Sequence, residues 1–143
     1  MRISTKGRYA LHLMVDLAQH DNGEYISLKD IAERQGVSLK YLEAIAATLN
    51  KAGFIISFRG KSGGYRLARR PAEYTVGAVL KLAEGSLAPV SCLYGGETCD
   101  RSETCFTFPM WKELDRIVDN YLESVTVKDL ILGNCKKAET EET

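Results

Sequence analysis

The chain has 143 residues, 45% hydrophobic and 27% charged, which suits one globular domain, alone or with a small appendage. Its formal net charge is zero, yet residues 1–70 carry 12 Lys and Arg against 6 Asp and Glu, and residues 71–143 carry 7 Lys and Arg against 13 Asp and Glu. This asymmetry of charge favours a basic binding half and an acidic regulatory half. No segment approaches the ~20 apolar residues that span a bilayer and no signal peptide is evident, so we expect a cytoplasmic protein without a membrane partner.

The first predicted element is an amphipathic helix. Ser4 or Thr5 can cap its start, and Asp21-Asn-Gly23 ends it. Its apolar residues recur at intervals of three and four, which gives a single stripe for the core. They are Ala10, Leu11, Leu13, Met14, Leu17 and Ala18.

Two further helices follow, joined by a short turn. Ser27 and Asp30 have the spacing of a capping box at the start of a short second helix, and Gly36 can adopt the positive φ that ends it. Ser38 caps the third helix, which ends at Gly53. Two helices joined in this way are typical of a helix-turn-helix DNA-binding motif. The predicted buried positions of the third helix are Leu42, Ile45, Ala46 and Leu49.

A glycine-rich hairpin comes next. Residues 54–58 and 65–67 have the composition of two short strands, and Arg59-Gly-Lys-Ser-Gly-Gly-Tyr65 forms the turn between them. A basic hairpin placed just after a helix-turn-helix motif predicts a winged helix. The expected fold is therefore mainly α with a small β-hairpin wing, followed by a long dimerisation helix.

The fourth predicted helix runs from Thr75 to Gly85, and its apolar positions include Val76, Val79 and Leu80. The stretch 86–105 has no hydrophobic period. It contains a proline, a glycine pair and three cysteines, so we predict a loop.

A long apolar repeat from Met110 to Val125 predicts a helix of about four turns. Its near-heptad spacing favours the seam of a homodimer, although packing on its own domain is the alternative. Thr126 and Asp129 form a second capping-box pattern before a short helix that ends at Leu132. The tail from Lys136 is charged and is predicted to be disordered.

Polar residues at the start of the third helix are the first candidates for DNA contact. Ser38 belongs to this polar face, and Lys40 and Tyr41 lie where they can reach phosphates. Glu43 is unsuited to phosphate, but its carboxylate can accept a hydrogen bond from a cytosine amino group. The alternative is that Glu43 is simply a solvated helix residue.

The wing supplies a second set of candidates. Arg59, Lys61 and Arg66 are its cations, and Arg59 can enter the minor groove. Gly63 and Gly64 allow the backbone to approach DNA closely.

Three cysteines fall in the predicted loop. Cys92, Cys99 and Cys105 have the spacing C-x6-C-x5-C, and thiolates suit an iron–sulfur cluster or zinc. The spacing is wider than a zinc knuckle, which weakens the zinc interpretation, and three unrelated reduced thiols remain the alternative. Cys135 lies beyond the long helix and is interpreted as a lone thiol.

The chain resembles the family of winged-helix transcription regulators that includes IscR, NsrR and CymR. The resemblance covers residues 1 to about 132 and rests on Ser4–Ala10, Asp30–Ser38, Tyr41-Leu-Glu43, Arg59-Gly60, Gly63-Gly-Tyr65 and the cysteine loop. It implies a homodimer that binds a palindromic site on double-stranded DNA. It also implies base contacts by Glu43 and Arg59, with Thr5, Arg8 and Tyr9 close to the DNA backbone.

For the cysteines, the resemblance implies a [2Fe–2S] or [4Fe–4S] cluster that senses iron–sulfur supply, nitric oxide or redox state. In the IscR branch a histidine follows the last cysteine by three residues, but Phe108 stands at that position here. The fourth ligand is therefore open among His12, Asp100, Glu103, a water and a small thiol. Lys40 and Ala44 also differ from the IscR branch, so its DNA target cannot be transferred.

We therefore predict a winged-helix DNA-binding domain over 1–85, a sensor loop over 86–107, a dimerisation helix and short helix over 108–133 and a disordered tail over 134–143. The predicted function is operator binding controlled by an iron–sulfur cluster. Control by thiol oxidation or zinc, and regulation through a protein partner, are the alternatives. No paired acid and base and no phosphate-binding loop are present, so an enzyme is not expected.

Overall fold

The computed structural model describes residues 3–90, 93 and 104–135. These residues form six α-helices and one antiparallel hairpin, with a 3-10 turn at Pro71–Glu73 that the sequence did not indicate. The predicted fold class is confirmed. In chain order the elements are α1 (Thr5–Gln19), α2 (Leu28–Gln35), α3 (Leu39–Lys51), β1 (Ile55–Phe58), β2 (Gly64–Leu67), α4 (Val76–Glu84), α5 (Phe108–Ser124) and α6 (Val127–Leu132).

Hydroxyl side chains start most of the helices. Ser4, Ser38 and Thr75 each accept a hydrogen bond from the backbone N–H three residues further on, which satisfies one unpaired donor of the first turn. The predicted capping box at Thr126 and Asp129 is complete in both directions. At α2 only the bond from the Asp30 N–H to Ser27 Oγ is formed, at 3.2 Å.

The helix-turn-helix motif has the predicted turn. Gly36 ends α2 with φ of 66°, a conformation that only glycine adopts at little cost. Gly53, two residues after the end of α3, also has a positive φ, of 78°. The four residues predicted to be buried on α3 are all buried, so the opposite side of this helix faces solvent.

The wing is a two-stranded sheet with a third contact at its edge. Ile55 pairs with Leu67 and Phe58 with Gly64. On the other side of β2, Ile26 and Tyr65 exchange two backbone hydrogen bonds of 2.8 Å. A Cβ atom on Gly64 would overlap the Ile26 carbonyl, so glycine is required there for the close approach of two backbones.

Helix α1 lies at the centre of the core and packs against α2, α3, α4 and α6. The core contains residues from nearly every element, including Val127 at the start of α6, which is fully buried. Helix α1 contributes Ala10, Leu13, Met14 and Leu17 to this core. In the described part of the chain, no helix combines the length and the apolar character needed to cross a membrane.

The two C-terminal helices are tied to the rest through backbone hydrogen bonds. The Val76 N–H donates to the Val125 carbonyl at 2.8 Å, and the Val127 N–H donates to the Tyr74 carbonyl at 2.9 Å. The segment before α4 therefore pairs with the segment between α5 and α6.

Candidate nucleic-acid interface

The N-terminal turn of α3 presents a polar surface. Lys40 and Glu43 are exposed, and Tyr41 is half-buried. The Ser38 hydroxyl is already used as the helix cap, since it accepts from the Tyr41 N–H at 3.1 Å. The start of a helix carries a partial positive charge, which together with Lys40 favours an anion such as a DNA phosphate.

Helix α1 adds residues beside α3. Thr5 and Arg8 are exposed, and the Tyr9 ring meets the Tyr41 ring edge-on with 5.8 Å between centroids. This aromatic contact joins two of the residues predicted to lie near DNA. The structure therefore fixes the first half of α1 against the start of α3.

The tip of the wing is exposed and basic. Arg59 and Lys61 both face solvent. A Cβ atom on Gly63 would collide with the carbonyls of Phe58 and Gly60. The fold of the wing therefore requires glycine at this position, as it does at Gly64, whether or not the backbone approaches DNA. The glycines therefore form the turn that presents the two cations.

An aromatic stack stiffens the wing. The Phe58 ring stacks on Tyr25 with 5.2 Å between centroids, and the Arg66 guanidinium lies 4.8 Å from the centre of the Tyr25 ring. Arg66 also donates to the Gly23 carbonyl at 3.5 Å. Because Phe58 directly precedes Arg59, this stack holds the residue next to the candidate minor-groove contact.

An ion pair between a buried acid and a partly exposed arginine joins α1 to the end of α2. The Asp16 side chain is 6% exposed and accepts from Arg34 Nη2 at 2.6 Å and from Arg34 Nε at 3.1 Å. The hydrogen bond with Asp16 raises the pKa of Arg34 above its ordinary value. Gln35 completes the junction by donating to the His12 carbonyl at 3.0 Å.

This ion pair was not predicted from the sequence, although the sequence contains one signal of it. Asp16 interrupts the apolar stripe of α1, and an acid in a buried position requires a partner. The partner lies 18 residues away on another helix.

A second polar cluster joins α4 to α5. Lys81 Nζ lies 2.5 Å from an Asp119 carboxylate oxygen and 2.9 Å from one of Glu123. These two hydrogen bonds, with Asp119 the larger cause, raise the pKa of Lys81. The Thr75 hydroxyl donates to the other Glu123 oxygen at 2.9 Å.

The outer side of α5 leaves a row of apolar side chains exposed. Met110, Ile117 and Tyr121 are 53%, 50% and 40% exposed, and Leu114 between them is half-buried. Their spacing of four, three and four residues is that of a coiled-coil seam. The seam of a homodimer stays a prediction.

Of the predicted cluster ligands, the structure places only two. Cys105 is half-buried, and its Sγ atom lies 3.3 Å from Thr107 Oγ1, just before α5. His12 is exposed on α1 beside Tyr9, with 5.9 Å between ring centroids. Cys92, Cys99, Asp100 and Glu103 lie outside the described residues, as does the tail from 136.

Within the described ranges, no group of three His, Cys, Asp or Glu side chains is arranged to hold a metal ion. Since two of the three cysteines are not among those residues, the predicted ligand set stays untested. Its chemistry fits an iron–sulfur cluster, because three thiolates are the donors that such clusters use.

Comparison with known proteins identifies the family. The sequence model of the Rrf2 family, described as an iron-dependent transcriptional regulator, matches residues 3–132. The chain belongs to the Rrf2 family. The predicted resemblance is thereby confirmed.

The relatives of this Rrf2 protein include transcription regulators. The HTH-type transcriptional regulator IscR of Aliivibrio salmonicida is 38% identical over 134 residues, which cover 94% of the chain and 79% of IscR. The protein rrf2 of Nitratidesulfovibrio vulgaris is 38% identical over 131 residues, covering 92% of the chain and 87% of that protein.

Solved structures agree in fold. CymR of B. subtilis, described as the global cysteine regulator, superimposes with a TM-score of 0.78 and 34% identity, covering 93% of the chain and 98% of CymR. IscR of T. potens has a TM-score of 0.74 and 36% identity, covering 98% of the chain and 94% of IscR. This Rrf2 protein is therefore a winged-helix, DNA-binding transcription regulator of the IscR type, and not an enzyme.

Proposed function

We propose that the chain is a homodimer that binds a palindromic promoter site with α3 and the wing and whose operator affinity is controlled by an iron–sulfur cluster. The observation that carries the DNA-binding part is the capped start of α3, where Lys40 and Glu43 face solvent while the other side of the helix is buried in the core. A helix held in this way can enter the major groove without rearrangement.

The side chains divide into positioning and base-reading groups. Arg8 and Lys40 are exposed cations that suit phosphates, which fix the register of a protein on DNA without reading its sequence. Glu43 suits a cytosine amino group, and Arg59 suits the negative potential of a narrow minor groove. A protein with a formal net charge of zero thus contacts DNA with its basic half.

The outer row of α5 supports the homodimer. Exposed apolar residues at heptad spacing lose contact with water when two copies pack together. Two copies related by a two-fold axis present two α3 helices to a site with matching symmetry.

The DNA-binding proposal is tested by selecting an operator from random duplexes and measuring affinity by fluorescence anisotropy. We expect Arg59→Ala to weaken operator binding about 5- to 100-fold, as for the loss of a base contact. Glu43→Ala should mainly relax sequence preference. Glu33→Ala, which removes an exposed acid on α2, is the matched control.

The same assay tests the dimer, because a duplex with one half-site should bind far more weakly than the full palindrome. Equal affinity for selected and scrambled duplexes would contradict the proposal and favour regulation through a protein partner.

Cys92, Cys99 and Cys105 would hold the cluster, with His12, Asp100, Glu103, a water or a small thiol as the fourth ligand. A bound iron–sulfur cluster supplies a group that reacts with oxidants and nitric oxide. Cys105 lies three residues before α5, so ligand binding there acts directly on the start of the predicted dimer helix. The relation of this protein to IscR-type regulators supports this part of the proposal.

Iron and sulfide analysis, with visible absorption, on anaerobically purified protein tests the cluster. The wild type should carry iron and sulfide, Cys92→Ala should lose both, and Cys135→Ala is the thiol-removal control. His12→Ala should lower occupancy only if His12 is a ligand. A colourless, iron-free wild type after reconstitution contradicts cluster control, and reductant-dependent operator affinity in such protein supports thiol or zinc control instead.

A further inference from the structure

Tyr74 lies between the wing and the junction of α5 and α6, and it is only 2% exposed. Its hydroxyl donates to the Phe54 carbonyl at 2.6 Å and accepts from the Arg69 N–H at 2.9 Å. Phe54 directly precedes β1 and Arg69 follows β2 by two residues. One hydroxyl group therefore holds the two chain segments from which the wing extends.

The Tyr74 ring adds a second set of contacts at the same place. It packs against the Phe54 ring with 5.6 Å between centroids. The Arg69 guanidinium lies 5.2 Å from the centre of the Tyr74 ring and 5.7 Å from that of Phe54. Because the hydroxyl both donates and accepts, and the ring is enclosed, Tyr74 has a single orientation.

The backbone of Tyr74 is held from the opposite side. Its carbonyl accepts from the Val127 N–H at 2.9 Å, and Thr75 forms an antiparallel bridge with Thr126. Thr75 also reaches α5 through its hydrogen bond to Glu123. Tyr74 is therefore held by the start of α6 through its backbone, its neighbour Thr75 is held by α5, and Tyr74 fixes the wing through its side chain.

We propose that Tyr74 is a positioning residue for DNA binding, which sets the place of Arg59 relative to α5 by anchoring both ends of the wing. The inference rests on the proposed function in one respect, namely that Arg59 contacts DNA. It adds a route by which a displacement of α5 reaches the wing.

A short hairpin depends on such an anchor. The strands of the wing have four residues each, too short to be stable in isolation, so Tyr74 holds their base while the Ile26 pairing and the Tyr25 stack hold the part nearer the tip. Arg59 lies at the far end of that hairpin, where a small rotation at the base produces a larger displacement. A pre-positioned Arg59 loses less freedom on binding, which strengthens the complex.

Tyr74→Phe tests the role of the hydroxyl while retaining the ring. In the variant, the Phe54 carbonyl keeps its bond from the Ala68 N–H at 3.2 Å, but the Arg69 N–H loses its acceptor. Tyr65→Phe is the matched control. It likewise removes a tyrosine hydroxyl, here from β2 of the wing, and within the described residues Tyr65 is held by its backbone bonds to Ile26 rather than by its hydroxyl.

The first measurement is hydrogen–deuterium exchange on the chain without DNA. Tyr74→Phe should speed exchange of the Arg69 amide and of the β1 and β2 amides about fivefold, the effect of one hydrogen bond, while α1 and α3 stay as in the wild type. Tyr65→Phe should change neither. Unchanged exchange in the wing of Tyr74→Phe overturns the inference without touching the proposed function.

The second measurement is a double-mutant cycle on operator affinity with Tyr74→Phe and Arg59→Ala. Tyr74→Phe alone should weaken operator binding about five- to tenfold, and less than twofold when Arg59 is already alanine. Equal loss in both backgrounds means that Tyr74 acts only on general stability, which overturns the inference. If the wild type shows no preference for any operator, the proposed function itself fails, and that result is distinct from both others.

Discussion

The ion pair between α1 and α2 gives an asymmetric prediction. Arg34→Met leaves the Asp16 carboxylate, which is 6% exposed, without its arginine partner, and only the longer contacts with His20 Nδ1 at 3.3 Å and Gln35 Nε2 at 3.4 Å remain. Asp16→Asn leaves an arginine that is 36% exposed and can turn toward water. Removing one partner of a fully buried pair costs about 3–5 kcal/mol, so we expect about 3 kcal/mol for Arg34→Met, because this pair is only partly enclosed. Asp16→Asn should cost about 1.5 kcal/mol, the effect of one charged hydrogen bond.

Urea denaturation followed by circular dichroism, at equal protein concentration and neutral pH, measures both values. The corresponding decreases in Tm are about 10 °C and about 5 °C for a chain of this size. Lys29→Met, which removes an exposed charge from the same helix, should stay within about 0.5 kcal/mol of the wild type. An Asp16→Asn variant that is less stable than Arg34→Met would contradict this prediction, since the order of the two variants follows directly from which charge is left enclosed.

Two further predictions concern the wing and α5. Gly64→Ala places a methyl group against the Ile26 carbonyl and should lower the free energy of unfolding by about 3 kcal/mol. At Gly60 an added Cβ would have no neighbour nearer than 3.8 Å, so Gly60→Ala should lower it by only about 1 kcal/mol. Similar urea midpoints for the two variants would contradict this difference. Lys81→Met should cost about 1 kcal/mol near neutral pH. Because the pKa of Lys81 is raised above its ordinary 10.5, this stabilisation is complete below pH 10.5 and is lost as the pH rises through the folded-state pKa. A stability difference between the wild type and Lys81→Met that already disappears by pH 9 would contradict this prediction.

Much of the fold could be predicted because its signals are local. A hydroxyl residue followed by an apolar period located the starts of α1, α3 and α4, and glycines located the ends of α2 and α4. The buried stripe of α3 was predicted residue by residue, since its period alone determines which side faces the core. The polar candidates on that helix followed as the complementary side.

The features that could not be predicted from the sequence depend on contacts between distant parts of the chain. Nothing near Asp16 in the sequence indicates that its partner is Arg34. The hydroxyl of Tyr74 likewise donates its hydrogen bond to the carbonyl of Phe54, twenty residues earlier. The pairing of Ile26 with Tyr65 likewise joins segments that have no common local pattern. Gly64 was assigned to DNA approach from composition, but the structure shows that the Ile26 backbone also requires it.

The burial of Val127 has a consequence for how the protein is made. Val127 lies in the same core cluster as α1 and α3, so the N-terminal core is incomplete until α6 has been synthesised. About 60 residues separate the end of the wing from Val127. At about 5–20 residues per second, a ribosome needs roughly 3–12 s to add them. A nascent chain that already contains every residue of the helix-turn-helix motif and the wing therefore waits several seconds before it can close its core.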